Sequence, residues 1–196
     1  MKMLVIATQN RNKFKEMKEA LRGIPWELKP AYDFPDAPEV VEDGETLEEN
    51  SLKKAKELSL FTGFSSLADD TGLFVDFLGG QPGIYAARFA GENCTYEDNV
   101  RKLLDLLQKA PDGSRGAVFK TVITVYNPGG SFEQVAGEIN GTITREARGK
   151  NGFGYDPIFL PLGYSRVFAE MTLEEKNRIS HRGQAVQKAK DLLKKK

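Results

Sequence analysis

Two adjacent carboxylates, those of Asp69 and Asp70, are the side chains whose types and spacing point most directly to chemistry. They follow a short apolar run and precede Thr71 and Gly72. A strand that ends in this tetrapeptide would deliver two carboxylates and a hydroxyl into a turn, where a hard cation such as Mg²⁺ can bind. The alternative is an acidic turn without a ligand, because Asp and Gly are common turn formers.

A second polar segment lies where the first strand gives way to a helix. It offers a hydroxyl, amides and two cations, on Thr8, Gln9, Asn10, Arg11, Asn12 and Lys13. Together with the N–H groups of a helix start, such side chains can converge on a phosphate. The sequence lacks the glycine spacing of a Walker-type loop, so a P-loop NTPase is not indicated. The alternative is a helix capped by Asn10.

Phe153 lies in a glycine-rich segment that runs from Gly149 to Pro157. Flanking glycines would leave its ring free to face a ligand, and an exposed aromatic ring beside the carboxylate of Asp156 suits a nucleobase. Stacking tolerates any base, so polar groups such as Asp156 must read the base identity. The alternative is a glycine-rich turn with a core Phe.

His181 and Arg182 form the third polar segment, at a predicted break before the last helix. A His-Arg pair can donate several hydrogen bonds to a carbonyl oxygen without titrating. A single histidine, however, is also commonly structural.

The spacing of apolar residues predicts the elements that position these residues. Lys2 to Thr8 reads as a buried strand, and the spacing of Phe14, Met17, Ala20 and Leu21 predicts a helix after it. Cap patterns predict where later helices begin: Thr46 with Glu49 before a helix to Thr62, Thr95 with Asp98 before Tyr96–Gln108, and Thr172 with Glu175. The closing helix is predicted after Gly183.

Two β-rich runs, 116–126 and 131–139, are separated by Asn-Pro-Gly-Gly and predict an antiparallel hairpin. Combined with the strand and helix units, the hairpin predicts an α/β fold with a mixed sheet flanked by helices. A chain of 196 residues without repeats or linkers favours one domain over residues 1–196.

Composition excludes several classes of function. Lys plus Arg number 28 and Asp plus Glu number 28, so no net field favours nucleic acid or membrane partners. Cys94 is the only cysteine, which excludes an intrachain disulfide and a Cys-rich zinc site and fits a reducing cytoplasm. The first apolar run is too short for a signal peptide or a membrane span.

Five segments together resemble the inosine/xanthosine triphosphate pyrophosphatases, which hydrolyse non-standard purine nucleoside triphosphates. They are ATQNRNK near the start, LEENSLKKA from Leu47, LADDTGLFVDFLGGQPGIYAARFAG from Leu67, GFGYDPIF from Gly152, and EEKNRISHRG from Glu174. The resemblance spans nearly the whole chain. One departure is Gln9, where the opening loop of the family typically has glycine.

The resemblance implies an elongated α/β fold of two lobes around a central cleft, a homodimer, and Mg²⁺-dependent release of pyrophosphate. It implies that Asp70 is the general base and a metal ligand, that Asp69 supports it, and that Glu42 is the second metal ligand. Glu39, Asp43 and Glu45 compete with Glu42 for that role. The substrate-binding set implied is Thr8, Gln9, Asn10, Arg11, Asn12, Lys13, Lys53, Thr71, Phe153, Gly154, Tyr155, Asp156, Lys176, His181 and Arg182.

The hydrogen-bonding groups of the purines predict which base the site selects. Hypoxanthine and xanthine present a carbonyl at C6 and an N1–H, so donors from His181, Arg182 and Lys176 can meet the oxygen while an acceptor near Asp156 meets the N1–H. Adenine reverses both groups and leaves polar groups unpaired. Two other functions stay open at this stage: a metal-dependent phosphatase of another class, and a nucleotide-binding module without catalysis.

Overall fold

The computed structural model describes residues 2–111 and 113–194, and over these residues the chain forms seven strands and five helices. The strands are β1 (Lys2–Ile6), β2 (Trp26–Pro30), β3 (Ser65–Val75), β4 (Pro82–Gly83), β5 (Gly116–Tyr126), β6 (Phe132–Ile143) and β7 (Phe159–Pro161). The helices are α1 (Arg11–Ala20), α2 (Leu47–Thr62), α3 (Tyr96–Leu106), α4 (Leu173–Ile179) and α5 (His181–Lys194). In the described part of the chain, none of these helices has the length and apolar character needed to cross a membrane.

The strands form one mixed sheet in the order β2-β1-β3-β5-β6-β7, and β4 pairs with β3. Strand β1 runs parallel to both β2 and β3, whereas β4 is antiparallel to β3 and β7 is antiparallel to β6. The predicted hairpin is present as the neighbours β5 and β6, joined by a turn in which Asn127 N–H donates to Ser131 O at 2.9 Å. The predicted α/β fold with a mixed sheet is confirmed.

The chain divides into two compact units. The first comprises the residues up to Asp70, Thr121–Gly137, and the residues from Arg182 onward. Its largest core cluster joins β1, β3 and β5 to α1 and α5, with Leu4, Met17, Leu67, Ile123 and Ala189 among its buried members. The predicted arrangement of two lobes around a cleft within one domain stays a prediction.

The second unit comprises Thr71–Lys120 and Glu138–His181. Its core gathers buried side chains from β3, α3, β5, β6 and β7, including Leu73, Leu103, Phe119, Ile143 and Phe159. Arg115 is buried beside this core and ties its elements together, because its guanidinium donates to the backbone oxygens of Leu107, Ile143 and Thr144 at 2.6–2.7 Å.

The cap residues predicted from the sequence begin α2, α3 and α4. Thr46 Oγ1 accepts from the N–H of Glu49, and full capping boxes fix the starts of α3 and α4 at Thr95 and Thr172. The box at α2 is only half formed, because the Glu49 carboxylate accepts from Glu45 N–H at 2.7 Å instead of from Thr46.

Two local predictions were wrong. The sequence Asp69 to Gly72 does not form a turn, since β3 continues through it to Val75. The apolar residues Leu73 and Val75 are fully buried and keep the strand in the sheet. The last helix begins at His181 and not after Gly183, so the predicted break falls at Ser180, which has an extended backbone.

Candidate active site

Asp70 lies at the end of the first unit's part of β3, and Lys54 on α2 connects it to Glu42. The Lys54 ammonium donates to Asp70 Oδ1 at 3.0 Å and to Glu42 Oε1 at 2.6 Å. The side chain of Lys54 is 11% exposed and that of Asp70 is 7% exposed, so little water screens the charges. The Lys54 ammonium therefore joins the two carboxylates that the family resemblance implies as metal ligands.

The environment of Asp70 disfavours its charged form. Burial raises the pKa of Asp70 above its usual value, and the neighbouring Glu42 adds to the rise, whereas Lys54 opposes it. Its second oxygen, Oδ2, is buried and has no hydrogen-bond partner among residues 2–111 and 113–194. A buried carboxylate oxygen without a partner is costly, so this atom is suited to accept a cation or a proton from a ligand.

Of the four acids proposed for the loop before α2, the structure brings Glu42 to Asp70. Asp43 points to Lys53, whose ammonium donates to Asp43 Oδ1 at 2.7 Å on the surface. Glu39 and Glu45 are exposed. The geometry therefore favours Glu42 over its competitors, and it places Lys53, a predicted substrate-binding residue, in a surface ion pair.

Asp69 has different neighbours from Asp70, because successive side chains of a strand point to opposite faces of the sheet. Its Oδ2 accepts from Arg182 Nε at 3.2 Å and lies 3.5 Å from Lys13 Nζ. Arg182 Nη1 in turn donates to Glu16 Oε2 at 2.9 Å. These four residues form an ion cluster that joins β3 to α1 and α5, and all but Lys13 are buried.

The charges around Asp69 keep it ionised. Burial opposes the charged form, but Lys13, Arg182 and Lys54 outweigh it and hold the pKa of Asp69 well below its usual range. Burial likewise lowers the pKa of Lys13, and the charges of Lys54 and Arg182 add to this, against the opposite pull of Asp69. Asp69 is thus a fixed anion that orients cations, whereas the pKa of Asp70 is shifted toward proton binding.

The predicted phosphate segment begins α1 as an Asn-capped helix. Asn10 Oδ1 accepts from the N–H groups of Asn12 at 2.9 Å and Lys13 at 3.2 Å, and Thr8 Oγ1 accepts from Asn10 N–H at 3.1 Å. Gln9 and Asn12 are exposed. The Arg11 guanidinium lies over the ring of Tyr32, 4.9 Å from its centroid. Lys13 is the member of this segment that the structure places beside the aspartates.

In the second unit, Asp156 organises the predicted base-binding residues. Its Oδ2 accepts from Phe153 N–H at 2.9 Å and from Lys176 Nζ at 2.7 Å, and both Asp156 and Lys176 are buried. The same ammonium lies 5.0 Å from the centroid of the Phe153 ring. The structure therefore brings Phe153, Asp156 and Lys176 together, with the lysine held by a carboxylate and against an aromatic ring.

Four other predicted site residues lie in the second unit: Thr71, Gly154, Tyr155 and His181. The imidazole of His181 is buried and stacks on Phe119, with ring centroids 4.4 Å apart and planes 10° apart. Tyr155 is in the core, its hydroxyl donates to Ala86 O at 2.9 Å, and burial raises the pKa of its phenol well above the usual value. Gly154 forms part of the turn with φ +62, and Thr71 is half-buried. Substrate contacts by these residues stay predictions.

Gly152 is required where it lies, because its φ is +75 and a Cβ there would collide with Asp156 Oδ2. We expect Gly152→Ala to displace this carboxylate from Phe153 and Lys176. Losing charge-assisted hydrogen bonds of this kind should raise KM roughly 10- to 100-fold for a purine triphosphate, the substrate class that the resemblance implies. Steady-state kinetics on such a triphosphate would measure the change.

The matched control is Gly163→Ala. Gly163 also has a positive φ, +84, but a Cβ there would meet no atom within 4 Å. It should impose the same backbone strain, about 1 kcal/mol, without the collision. Equal KM values for the two variants would contradict the positioning role of the Asp156 carboxylate.

Two residues of the site were missed by sequence reasoning, and helix periodicity is the signal that could have found them. The buried positions of α2 are Leu47, Asn50, Ser51, Ala55, Leu58 and Ser59. Lys54 continues this spacing and Lys53 does not, so the inward-facing lysine is the second of the pair. Glu16 likewise follows Lys13 by one turn of α1, beside the buried Met17.

Comparisons with known proteins find similar proteins over nearly the whole chain. The model of the Ham1 family matches residues 4–192. The dITP/XTP pyrophosphatase of Geobacter sulfurreducens is 47% identical over 193 residues, which cover 98% of this chain and 97% of that protein. That of Bacillus licheniformis is 43% identical, with 98% of each chain covered. The solved structure of a HAM1 protein from Coxiella burnetii is 40% identical, has a TM-score of 0.90 and covers 100% of both chains.

Proposed function

Because this chain belongs to the Ham1 family, we propose that it is a pyrophosphatase of non-standard purine nucleoside triphosphates. Its substrates are the triphosphates of inosine, deoxyinosine and xanthosine, and its products are the nucleoside monophosphate and pyrophosphate. Removal of these nucleotides keeps altered purines out of the nucleotide pool. The observation that carries the mechanism is the Lys54 ammonium that joins the carboxylates of Asp70 and Glu42.

Mg²⁺ is the proposed cofactor, and the residues present fit it. Carboxylate oxygens are the ligands that Mg²⁺ prefers, and one of them, Asp70 Oδ2, is buried without a partner in the described part of the chain. Around this site the carboxylates of Glu16, Glu42, Asp69 and Asp70 face the cations of Lys13, Lys54 and Arg182. Their net charge is negative, which favours one further cation.

Asp70 and Glu42 would hold this ion, which when bound neutralises phosphate oxygens and polarises the α-phosphorus. The remaining work belongs to the protein's own groups. Lys13 and Lys54 stabilise the triphosphate charge as point charges. Arg182 and Glu16 fix Asp69, which in turn lies beside Lys13 and orients it.

The reaction needs a base, because water must lose a proton as it attacks the α-phosphorus. The Asp70 carboxylate takes this proton, and the Lys54 ammonium beside it stabilises the charge of the site. The new bond joins the water oxygen to the α-phosphorus, and the bond from that phosphorus to the oxygen bridging to the β-phosphorus breaks, so that pyrophosphate leaves. The raised pKa of Asp70 suits a group that must accept a proton near neutral pH.

The purine is recognised by residues of the second unit. The Phe153 ring stacks on the base, and Lys176 donates to the C6 carbonyl that hypoxanthine and xanthine share. Adenine has an amino group at that position and would place a donor against the ammonium. Guanine shares the carbonyl and the N1–H, so its refusal must act at the 2-amino group. The contribution of His181 to the same carbonyl is part of this proposal, whereas Arg182 belongs to the ion cluster around Asp69 in the first unit.

Two further elements of the proposal rest on the family resemblance. We propose that two copies of the chain form a homodimer, and that the enzyme acts in the cytoplasm, where the nucleotide pool is. Analytical ultracentrifugation would test the first of these, and a sedimentation coefficient of a monomer at micromolar concentration would contradict it.

The test of the function is turnover of the triphosphates of inosine, xanthosine, guanosine and adenosine, with Mg²⁺ and after chelation, measuring pyrophosphate and orthophosphate separately. We expect metal-dependent pyrophosphate from the first two and little from the others. Orthophosphate as the product would indicate a phosphatase of another class. Tight triphosphate binding without turnover would indicate a nucleotide-binding module.

A further inference from the structure

Tyr96, the first residue of α3, lies against the ring proposed to stack on the purine. Its ring centroid is 5.7 Å from that of Phe153, and the two planes are inclined at 39°. Aromatic pairs at such distances attract each other beyond the area they bury. Sequence reasoning assigned Tyr96 only to the start of a helix, and the mechanism above gives it no part.

The backbone of Tyr96 is held in place. Thr95 caps α3, its Oγ1 accepts from Asp98 N–H at 3.1 Å, and the Asp98 carboxylate accepts from Thr95 N–H at 2.9 Å. Tyr96 also precedes the buried residues Asn99 and Val100 by three and four positions, which places it on the same face of the helix. A capped helix start therefore presents this ring in a fixed direction.

The Phe153 ring, by contrast, receives little support from the core. It is half-buried and lies outside the residues of the second unit's core cluster. Glycines with positive φ flank it, +75 at Gly152 and +62 at Gly154, so its backbone is fixed by hydrogen bonds to Asp156 and not by regular structure. Its ring contacts include those with Tyr96 and the Lys176 ammonium.

The exposure of Tyr96 also argues for a role beyond folding. Tyr96 keeps 37% of its surface exposed, and it is not a member of the second unit's core cluster. We propose that Tyr96 is a positioning residue that holds the Phe153 ring in the orientation in which it stacks on the purine. This inference rests on the proposed function, because it requires a base on Phe153.

Such a role has a specific kinetic signature. Stacking does not distinguish one purine from another, so loss of Tyr96 should raise KM by the same factor for every purine triphosphate that is hydrolysed. The reacting phosphate is remote from the base, so kcat should stay unchanged, as for loss of uniform binding. Aromatic pair energies correspond to a rise in KM of about 3- to 10-fold.

The experiment compares Tyr96→Ala, Tyr96→Phe and Tyr164→Ala, using inosine and xanthosine triphosphates. Tyr164 is the matched control, an exposed tyrosine of the same unit with 47% of its surface accessible. We expect the KM rise in Tyr96→Ala for both substrates, with wild-type values in Tyr96→Phe and Tyr164→Ala. Thermal unfolding of each variant checks that the fold is retained, and Tyr96→Leu replaces the alanine variant if that one unfolds.

A double-mutant cycle with Phe153→Ala decides whether Tyr96 acts through the ring. In the Phe153→Ala background, Tyr96→Ala should have no further effect on KM. A full additional effect there, or an unchanged KM in the single variant, would overturn the proposal. Both outcomes presuppose a wild-type enzyme that releases pyrophosphate; absence of that activity would instead contradict the proposed function.

Discussion

The Asp70→Asn variant is expected to release pyrophosphate from inosine triphosphate at least about 10³-fold more slowly than the wild type, because it loses two contributions at once. A positioned general base contributes roughly 10²–10⁴-fold, and a metal ion adds several kcal/mol of charge stabilisation. The amide has nearly the volume of the carboxylate and can still accept the hydrogen bond of Lys54 through its oxygen. It cannot take a proton or carry charge toward the cation.

The measurement is kcat under saturating Mg²⁺, together with Mg²⁺ affinity by calorimetry on the folded variant. The stability of Asp70→Asn should be close to that of the wild type or higher, since burial disfavours the charge of Asp70 in the first place. Loss of activity with an unchanged unfolding transition therefore separates chemistry from folding. Turnover within a few-fold of the wild type would refute the assignment of both base and metal ligand to Asp70.

Local sequence signals predicted the helices and strands well, because these signals depend on residues that are close together in the chain. Thr95 and Thr172 begin helices through hydrogen bonds to residues three positions later, and such spacing is visible in the sequence. The turn predicted at the aspartates was wrong for the same reason. Asp and Gly favour turns locally, but the buried Leu73 and Val75 keep β3 in the sheet.

Local sequence signals do not predict the ion pairs of the site, because the paired residues lie far apart in the chain. Arg182 meets Asp69 across 113 positions and Glu16 across 166, so only the folded chain shows which charge neutralises which. Because β3 continues through Asp69 and Asp70, the directions of their side chains follow strand geometry. Adjacent carboxylates on a strand face opposite ways, which gives Asp69 the partners Lys13 and Arg182 and leaves Asp70 to Lys54.

The choice between neighbouring lysines shows how much a single position matters. The resemblance implied Lys53 as the substrate-binding residue, whereas the structure places Lys54 at the carboxylates. Residue type alone does not show which lysine lies at the site, because Lys53 and Lys54 are adjacent on α2 and of the same type. Only the direction of each side chain around the helix does so.

Lys54→Met is therefore expected to lower kcat/KM by about 10²- to 10³-fold, because the methionine keeps most of the apolar stem and removes the ammonium. Without that charge the carboxylates of Asp70 and Glu42 repel each other in a largely buried place, and the triphosphate loses a cation. The free energy of unfolding should fall by roughly 1–3 kcal/mol through the same repulsion. Part of this loss should return on adding Mg²⁺, since the ion replaces the missing charge.

Lys53→Met is the matched control, with the same substitution one position away on the same helix. Its partner Asp43 is 66% exposed, and exposed ion pairs contribute little to stability, so the free energy of unfolding should change little and activity should stay within about 3-fold of the wild type. Kinetics and thermal unfolding of both variants, with and without Mg²⁺, test the assignment. A larger loss of activity in Lys53→Met than in Lys54→Met would return the phosphate role to Lys53 and show that the Lys54 bridge between Asp70 and Glu42 is not used in turnover.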